Sequence, residues 1–227
     1  MSLSGSGEEI SQGLRLRLLA QSDLPAILAL QARVRGALPD PAFLADDPPE
    51  FFAAHLGDWG VTGGVEHEGE LVAFGVIGFG GLIPQEENFG RLIGLPPDRL
   101  VSVGQPDGVA VAPGWRGRGL QRHLLRWRLA AAVTRGCRDI LSTCEPRNVF
   151  SLRNMMGFGL RAVRFAHLFN GLPRLVLHCD RQGDAPLDMA RIEAVNPDAG
   201  SLSRAFEQGL VGFDVKENHI LMAPVVK

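Results

Sequence analysis

The residues from Asp107 to Leu120, DGVAVAPGWRGRGL, bring together side-chain types and spacings that can hold an anion. Val109 and Val111 alternate with smaller neighbours and read as a short buried strand. Pro113-Gly114 breaks it, Arg116-Gly117-Arg118-Gly119 follows, and a helical pattern then runs to about Arg135. A strand, a glycine turn and a helix start in that order make an anion cradle. The first N–H groups of the helix have no acceptor within it and carry its positive dipole end. Glycine lets the backbone come close to a phosphate because no Cβ stands in the way. A dinucleotide fingerprint would need a third glycine where Arg122 stands. A P-loop would need Gly-Lys-Ser/Thr, which the turn lacks. Arg118, Arg122 and Arg126 share one face of the helix and read as a solvated face. Arg116, Arg118 and Arg122 are also near enough to the turn to touch phosphates.

Two carboxylates near this stretch can move a proton. Asp107 opens the strand, and Glu145 ends the strand predicted over Asp139–Thr143. Each also has an ordinary use, Asp107 in a turn with Gly108 and Glu145 as a solvated strand end. His55, His67, His123 and His219 are isolated. Cys137, Cys144 and Cys179 are too scattered for a disulfide framework, and no Cys/His cluster suggests a metal.

Stepping outward, 227 residues suit one domain, or one domain with a small appendage. The chain is 45% hydrophobic and 21% charged, ordinary for a soluble globular protein. Its formal net charge of -2 and the lack of interleaved surface aromatics argue against an RNA- or DNA-binding role for the arginine helix. No apolar run long enough for a membrane span and no signal-peptide pattern is present, so a cytoplasmic protein is expected.

The elements that must position the cradle follow in order. Residues 1–13 are Ser/Gly-rich and expected to be a disordered leader. A strand over Leu14–Leu19 precedes a helix capped by Ser22 or Asp23 and running to Gly36 or Leu38. A short helix holds Phe51, Phe52 and His55; Phe51 and Phe52 with Trp59 read either as a wall of an acceptor site or as a core or rim contact. Val61–His67 and Glu70–Phe79 form a hairpin around Glu68-Gly69. Gly80–Pro106 reads as one long loop. On the helix after the cradle, Leu120, Leu124, Trp127 and Ala131 make the stripe that faces a sheet. Leu125 and Leu129 lie among the arginines, and the C-terminal segment or a second copy of the chain in a homodimer is expected to cover them. A strand over Asp139–Thr143, a helix from Asn148 to Met156 and a hairpin over Leu160–Phe169 and Arg174–Cys179 follow. After residue 182 come a strand over Met189–Val195, a helix over Ala199–Gln208 and two short strands. Ser201-Leu202 and Gly209-Leu210 echo Ser151-Leu152 and Gly159-Leu160 at the same internal spacing. The echo reads either as repetition or as chance within an appendage on the sheet edge.

The run V-x-V-x-P-x-x-R-G-x-G-L resembles the acyl-CoA signature of the GNAT N-acetyltransferase superfamily, and the order of elements over residues 14–182 is similar to that family's. Gln121 stands where the family usually has Gly or Ala, so its side chain must turn away from the phosphates. The resemblance implies an α/β fold. Its mixed, mostly antiparallel sheet would be splayed between the Val109 and Leu141 strands, with helices on both faces, and residues 183–227 would pack on the sheet edge or an oligomer partner as a small α+β appendage. It implies acetyl-CoA, or another short acyl-CoA, as cosubstrate, held by Val109, Ala110, Val111, Arg116, Gly117, Arg118, Gly119, Leu120 and Gln121. In the family's second motif an Asn stands eleven residues before a Gly-Phe pair. Here Asn148 stands eleven before Gly159-Leu160, which puts Ser151 at the family's serine and Met155 at its usual tyrosine. Asn148 and Ser151 would then bond CoA. The implied reaction is direct attack of an amine, on a small molecule or a protein, upon the acetyl thioester. Asp107, Glu145 and Ser151 are the catalytic candidates. A backbone N–H of the Val109–Val111 strand is the oxyanion donor. The chain contains no tyrosine, and a non-catalytic CoA-binding or sensor module is the alternative.

Overall fold

Among the described residues one sheet of 11 strands runs through the protein, and a single parallel junction interrupts its antiparallel pairing. The structure, a computed structural model, describes residues 8–11 and 13–226. Its strands are β1 (Glu8–Ser11), β2 (Leu14–Leu18), β3 (Gly60–His67), β4 (Glu70–Phe79), β5 (Val103–Val111), β6 (Asp139–Cys144), β7 (Arg161–Leu168), β8 (Leu172–Asp180), β9 (Glu193–Val195), β10 (Leu210–Lys216) and β11 (His219–Pro224). Its helices are α1 (Leu24–Gly36), α2 (Pro49–Ala54), α3 (Pro97–Leu100), α4 (Leu120–Thr134), α5 (Val149–Met156) and α6 (Ala199–Glu207). The strands lie in the order β1-β2-β3-β4-β5-β6-β8-β7-β10-β11-β9.

Successive side chains on a strand point to opposite faces, and β4 shows what each face takes. Phe74 joins Ile27, Leu30 and Val34 of α1 and Phe52 of α2. Gly75 turns to the other side, against Leu124 and Arg128 of α4. The stripe Leu120, Leu124, Trp127 and Ala131 is buried as expected. A Cβ at Gly63 would stand 2.8 Å from the Trp127 ring, so α4 approaches the sheet only because β3 carries glycine there.

Three expectations are corrected. Of the leader expected over residues 1–13, residues 1–7 and 12 lie outside the described residues, whereas Glu8–Ser11 pairs antiparallel with β2 and satisfies the outer backbone of that strand. The segment from Gly80 is not loop as far as Pro106. It holds two 3-10 turns and α3, and β5 starts at Val103. Pro106 misleads because proline weakens a strand reading, yet it sits here beside a bulge, where a missing N–H is tolerated. The strand expected from Met189 forms only over Glu193–Val195.

The parallel junction positions the site. β5 and β6 are in register only at Val103↔Asp139 and Gly104↔Ile140. An ionic knot fastens this closed end. Asp139, fully buried, accepts from Arg99 and from His178 Nε2 at 2.7 Å, and Arg99 also pairs with Asp180 at 2.9 Å. One step on, Ser142 Oγ donates to Pro106 O at 2.7 Å, and past that point β6 stays with β8 while β5 stays with β4.

The sequence echo is a structural one. β6-α5-β7-β8 and β9-α6-β10-β11 repeat the same order, and the strand order β6-β8-β7 is mirrored as β10-β11-β9. Asn148 caps α5 by accepting from Ser151 N at 3.2 Å, and Asp198 caps α6 by accepting from Ser201 N at 2.9 Å. Gly159 and Gly209 both leave their helices at positive φ, and Leu160 and Leu210 are both buried. Where the units meet, Ala162 faces Gly212, its own equivalent fifty residues on. Equivalent residues opposite one another in an antiparallel pair define a local two-fold axis. Consistent with it, α5 packs on β10 and α6 on β7.

Candidate functional site

Two features shape the parted strands. In β5 the pairing with β4 slips between Gly75↔Val109 and Ile77↔Pro106, so the extra residue of a bulge falls at Asp107-Gly108. Arg128, buried in α4, plugs it. Its Nη1 donates to Asp107 O at 2.8 Å and to Val76 O at 3.4 Å. Beyond the bulge, Ala112 N donates to Val72 O of β4. Backbone groups alternate sides along a strand, so the N–H groups of Val109 and Val111 point into the gap that β6 has left.

A cleft of about 620 Å³ follows this gap. At one end it is lined by Arg116, Gly117, Gly119, Leu120, Gln121 and Arg122, and at the other by Asp47, Asp107, Glu145 and Arg174. Asn148, Ser151 and Asn154 of α5 border it between. At the turn, Gly117 has φ 78° and Gly119 φ 75°, left-handed values that a side chain resists, and a Cβ on either would meet nothing within 4 Å. The glycines are therefore demanded by backbone conformation, and the space beside them is open. Leu120, Gln121 and Arg122 present the unpartnered first N–H groups of α4 toward that space.

The side chains around the turn are held aside. Gln121 donates to Ser151 Oγ at 3.1 Å and accepts from Asn154 at 2.8 Å, so it turns toward α5 as its bulk requires. Arg118 lies 4.5 Å over the Trp115 ring, and Arg116 donates to Ala37 O at 3.4 Å. Trp115 itself packs against His67 at 4.6 Å. Arg122 and Arg126 flank Phe158, at 5.9 and 6.0 Å. The turn after α5 thus lies on the arginine face of α4, and Leu125 is buried in the same core cluster as Leu202 and Leu210 of the C-terminal segment.

The two carboxylate candidates differ. Both oxygens of Glu145 already accept from Arg147, its N at 2.6 Å and its Nε at 2.7 Å. Asp107 has no cationic partner within salt-bridge range among the described residues. Desolvation, then the nearby charge of Asp47, pushes its carboxyl up to about 7. Asp47 is raised to about 6, by desolvation and then by Asp46. Its Oδ2 lies 3.2 Å from where a Cβ on Gly108 would stand, so the absent side chain at the bulge admits it. The fold thus sets two desolvated carboxyls at the bulge, each raised above the ordinary carboxylate range. Sequence reading missed Asp47. The only signal was an acidic Asp46-Asp47 step in a proline-rich loop, and only the tertiary fold lays that loop across β5.

Ser151 stands at the cleft with its oxygen accepting from Gln121, and Asn148 spends its Oδ1 on the α5 cap. Met155 is buried in the core with Leu152. Phe52 is buried and Trp59 packs on His55 at 5.7 Å. Among the described residues no group of three or more His, Cys, Asp or Glu is arranged to hold a metal, and no helix is long and apolar enough to cross a membrane.

Solved structures share this architecture. The ribosomal-protein-S18-alanine N-acetyltransferase of Escherichia coli superposes with a TM-score of 0.55 at 15% identity, covering 78% of this chain and 98% of that one. A putative acetyltransferase of Salmonella typhimurium with its cofactor acetyl-CoA gives 0.55 at 16%, covering 82% and 99%. Diaminobutyrate acetyltransferase of Paenibacillus lautus, in complex with its substrate and coenzyme A, gives 0.53 at 18%, covering 80% and 100%. No curated protein matches by sequence. The family described as Acetyltransferase (GNAT) matches residues 28–158, more than half of the chain, and the protein belongs to that family.

Proposed function

We propose that the protein is an N-acetyltransferase that moves the acetyl group of acetyl-CoA to a primary amine by direct attack. One observation carries this reading: a single cleft runs from the glycine turn, along the unpaired side of β5, to the carboxylates at the bulge. The amides at Gly117–Arg122 suit the diphosphate, since they offer donors at a helix start with no Cβ between. The pantetheine arm would lie in the gap against Val109–Val111, whose inward N–H groups can bond its amides. Asn148 and Ser151 border the same path from α5. Residues 14–182 would form the catalytic unit and residues 183–227 an extension of its sheet.

In the reaction the amine nitrogen bonds to the thioester carbonyl carbon, and the C–S bond breaks. An N–H of the β5 segment donates to the developing oxyanion. Asp107 takes the proton from the amine. Burial and Asp47 tune it for that task, because a base works best with a pKa near the operating pH. Glu145, occupied by Arg147, is assigned to holding the turn after β6. The sulfur departs as a thiolate that water or the Ser151 hydroxyl can protonate. A thiol's ordinary pKa, near 8.5, makes it a tolerable leaving group.

Replacing both Gly117 and Gly119 by valine tests the cradle. Calorimetry should show CoA affinity reduced by about 100-fold or more, while circular dichroism shows a folded protein. Undiminished affinity in a folded variant would remove the cradle from the mechanism.

A further inference from the structure

We infer that the acceptor is an amino acid, with amine and carboxylate on one small molecule, and that Arg174 binds the carboxylate. This rests on the transferase reading above. Arg174 begins the inner part of β8, opposite the end of β6, and only 3% of it is exposed. Nη1 donates to Pro173 O at 3.0 Å and Nη2 to Ala42 O at 2.9 Å. These are neutral carbonyls. No carboxylate among the described residues lies within 4.0 Å of its guanidinium. A buried cation without a counter-charge is costly, and burial pulls its pKa down.

Arg128 is the instructive contrast. It too is buried without a carboxylate, but three carbonyls, of Leu124, Val76 and Asp107, surround it, and it does not border the cleft. Arg174 does border it, at the end that also holds Glu145, Asp107 and Asp47, and the charges of all three reach it although none of these carboxylates is bonded to it. One end of the cleft therefore offers an acidic pair for an ammonium group and a guanidinium with no carboxylate bonded to it. A guanidinium presents donors in a planar fork that fits a carboxylate. A zwitterion satisfies both at once. A simple amine, or a peptide N-terminus whose α-carboxyl is tied up in an amide, brings Arg174 no α-carboxylate.

The test pairs each amino acid with its decarboxylated amine as acceptors for acetyl-CoA, with release of free thiol as the readout. The best amino acid should exceed its amine in kcat/KM by about 100-fold, the scale on which a site built for a polar group rejects an analogue lacking it. In Arg174→Gln that ratio should collapse toward unity, and Arg174→Lys should restore part of it. If Arg174→Gln fails to fold, the ratio in the parent protein decides. Equal rates within the pairs, or transfer to amines and peptides only, overturn this inference and leave the transferase reading standing. No thiol release with any acceptor overturns both.

Discussion

Two regions of this protein are built to one local plan and end with different capacities. The unit from β6 to β8 and the unit from β9 to β11 share a polar cap, a serine amide bonded to it, a buried leucine, a left-handed glycine and a hairpin. The first unit borders the cleft. The second lies at the far side of β7, with its cap exposed and β9 reduced to three residues. What separates them is the neighbour. β6 stands beside β5, diverges from it after Gly104↔Ile140 and faces the turn that opens α4. Among the described residues β9 pairs only with β11 and has no strand from which to part. A capped helix and hairpin supply one wall of a site. The parted strand supplies the site itself.

The contrast can be broken most forcefully at Asp107, which belongs to the parted strand and to neither repeat. Asp107→Asn should lower kcat/KM by roughly 10²–10⁴-fold, the usual worth of a positioned base. In the parent, the rate should rise with pH through about 7 and then level. That inflection should be missing from the variant. The same pair gives a stability test whose sign is fixed. Its folded pKa values are raised, so its contribution to stability is present below the ordinary carboxylate range and is lost as pH rises through about 7. Asp107→Asn should therefore gain resistance to urea relative to the parent at pH 8, and show least of that gain at pH 4. An unshifted pH–rate profile in the variant would transfer the base role to another group.

Gly212 tests the axis between the units. A Cβ there would meet Ala162 Cβ at 3.0 Å and Ile220 Cγ2 at 3.1 Å. Gly212→Val should cost about 1–3 kcal/mol by overpacking, read by urea unfolding, with KM for acetyl-CoA unchanged. A large change in that KM would show that the second unit shapes the cleft. The smallest effects come from the caps. Asn148→Ala should lose about 1 kcal/mol of stability and also raise KM for acetyl-CoA. Asp198→Ala should lower Tm modestly and leave the kinetics alone. Equal kinetic effects from both would erase the distinction.

Much of this was legible in the chain because it is written locally. The two glycines of the turn and the α4 stripe each follow from a few adjacent residues, and the structure places them as their types require, whereas Asp23, expected to cap α1, makes no cap hydrogen bond to it. Asp107 was legible as a candidate, but nothing near it in sequence separated it from Glu145. Arg147 two residues on, and Asp47 sixty residues back, made that choice. Pro106 hid the start of β5 because a proline inside a strand is readable only once the bulge beside it is known.

The sequence by itself determined the order of most elements, which helix face is apolar, and where the turn before α4 demands glycine, since these depend on covalent geometry and near neighbours. Only the tertiary structure decided which charges lack partners. Burial arises from segments far apart in the chain, and it leaves Asp47, Asp107 and Arg174 desolvated beside the cleft without a bonded counter-charge.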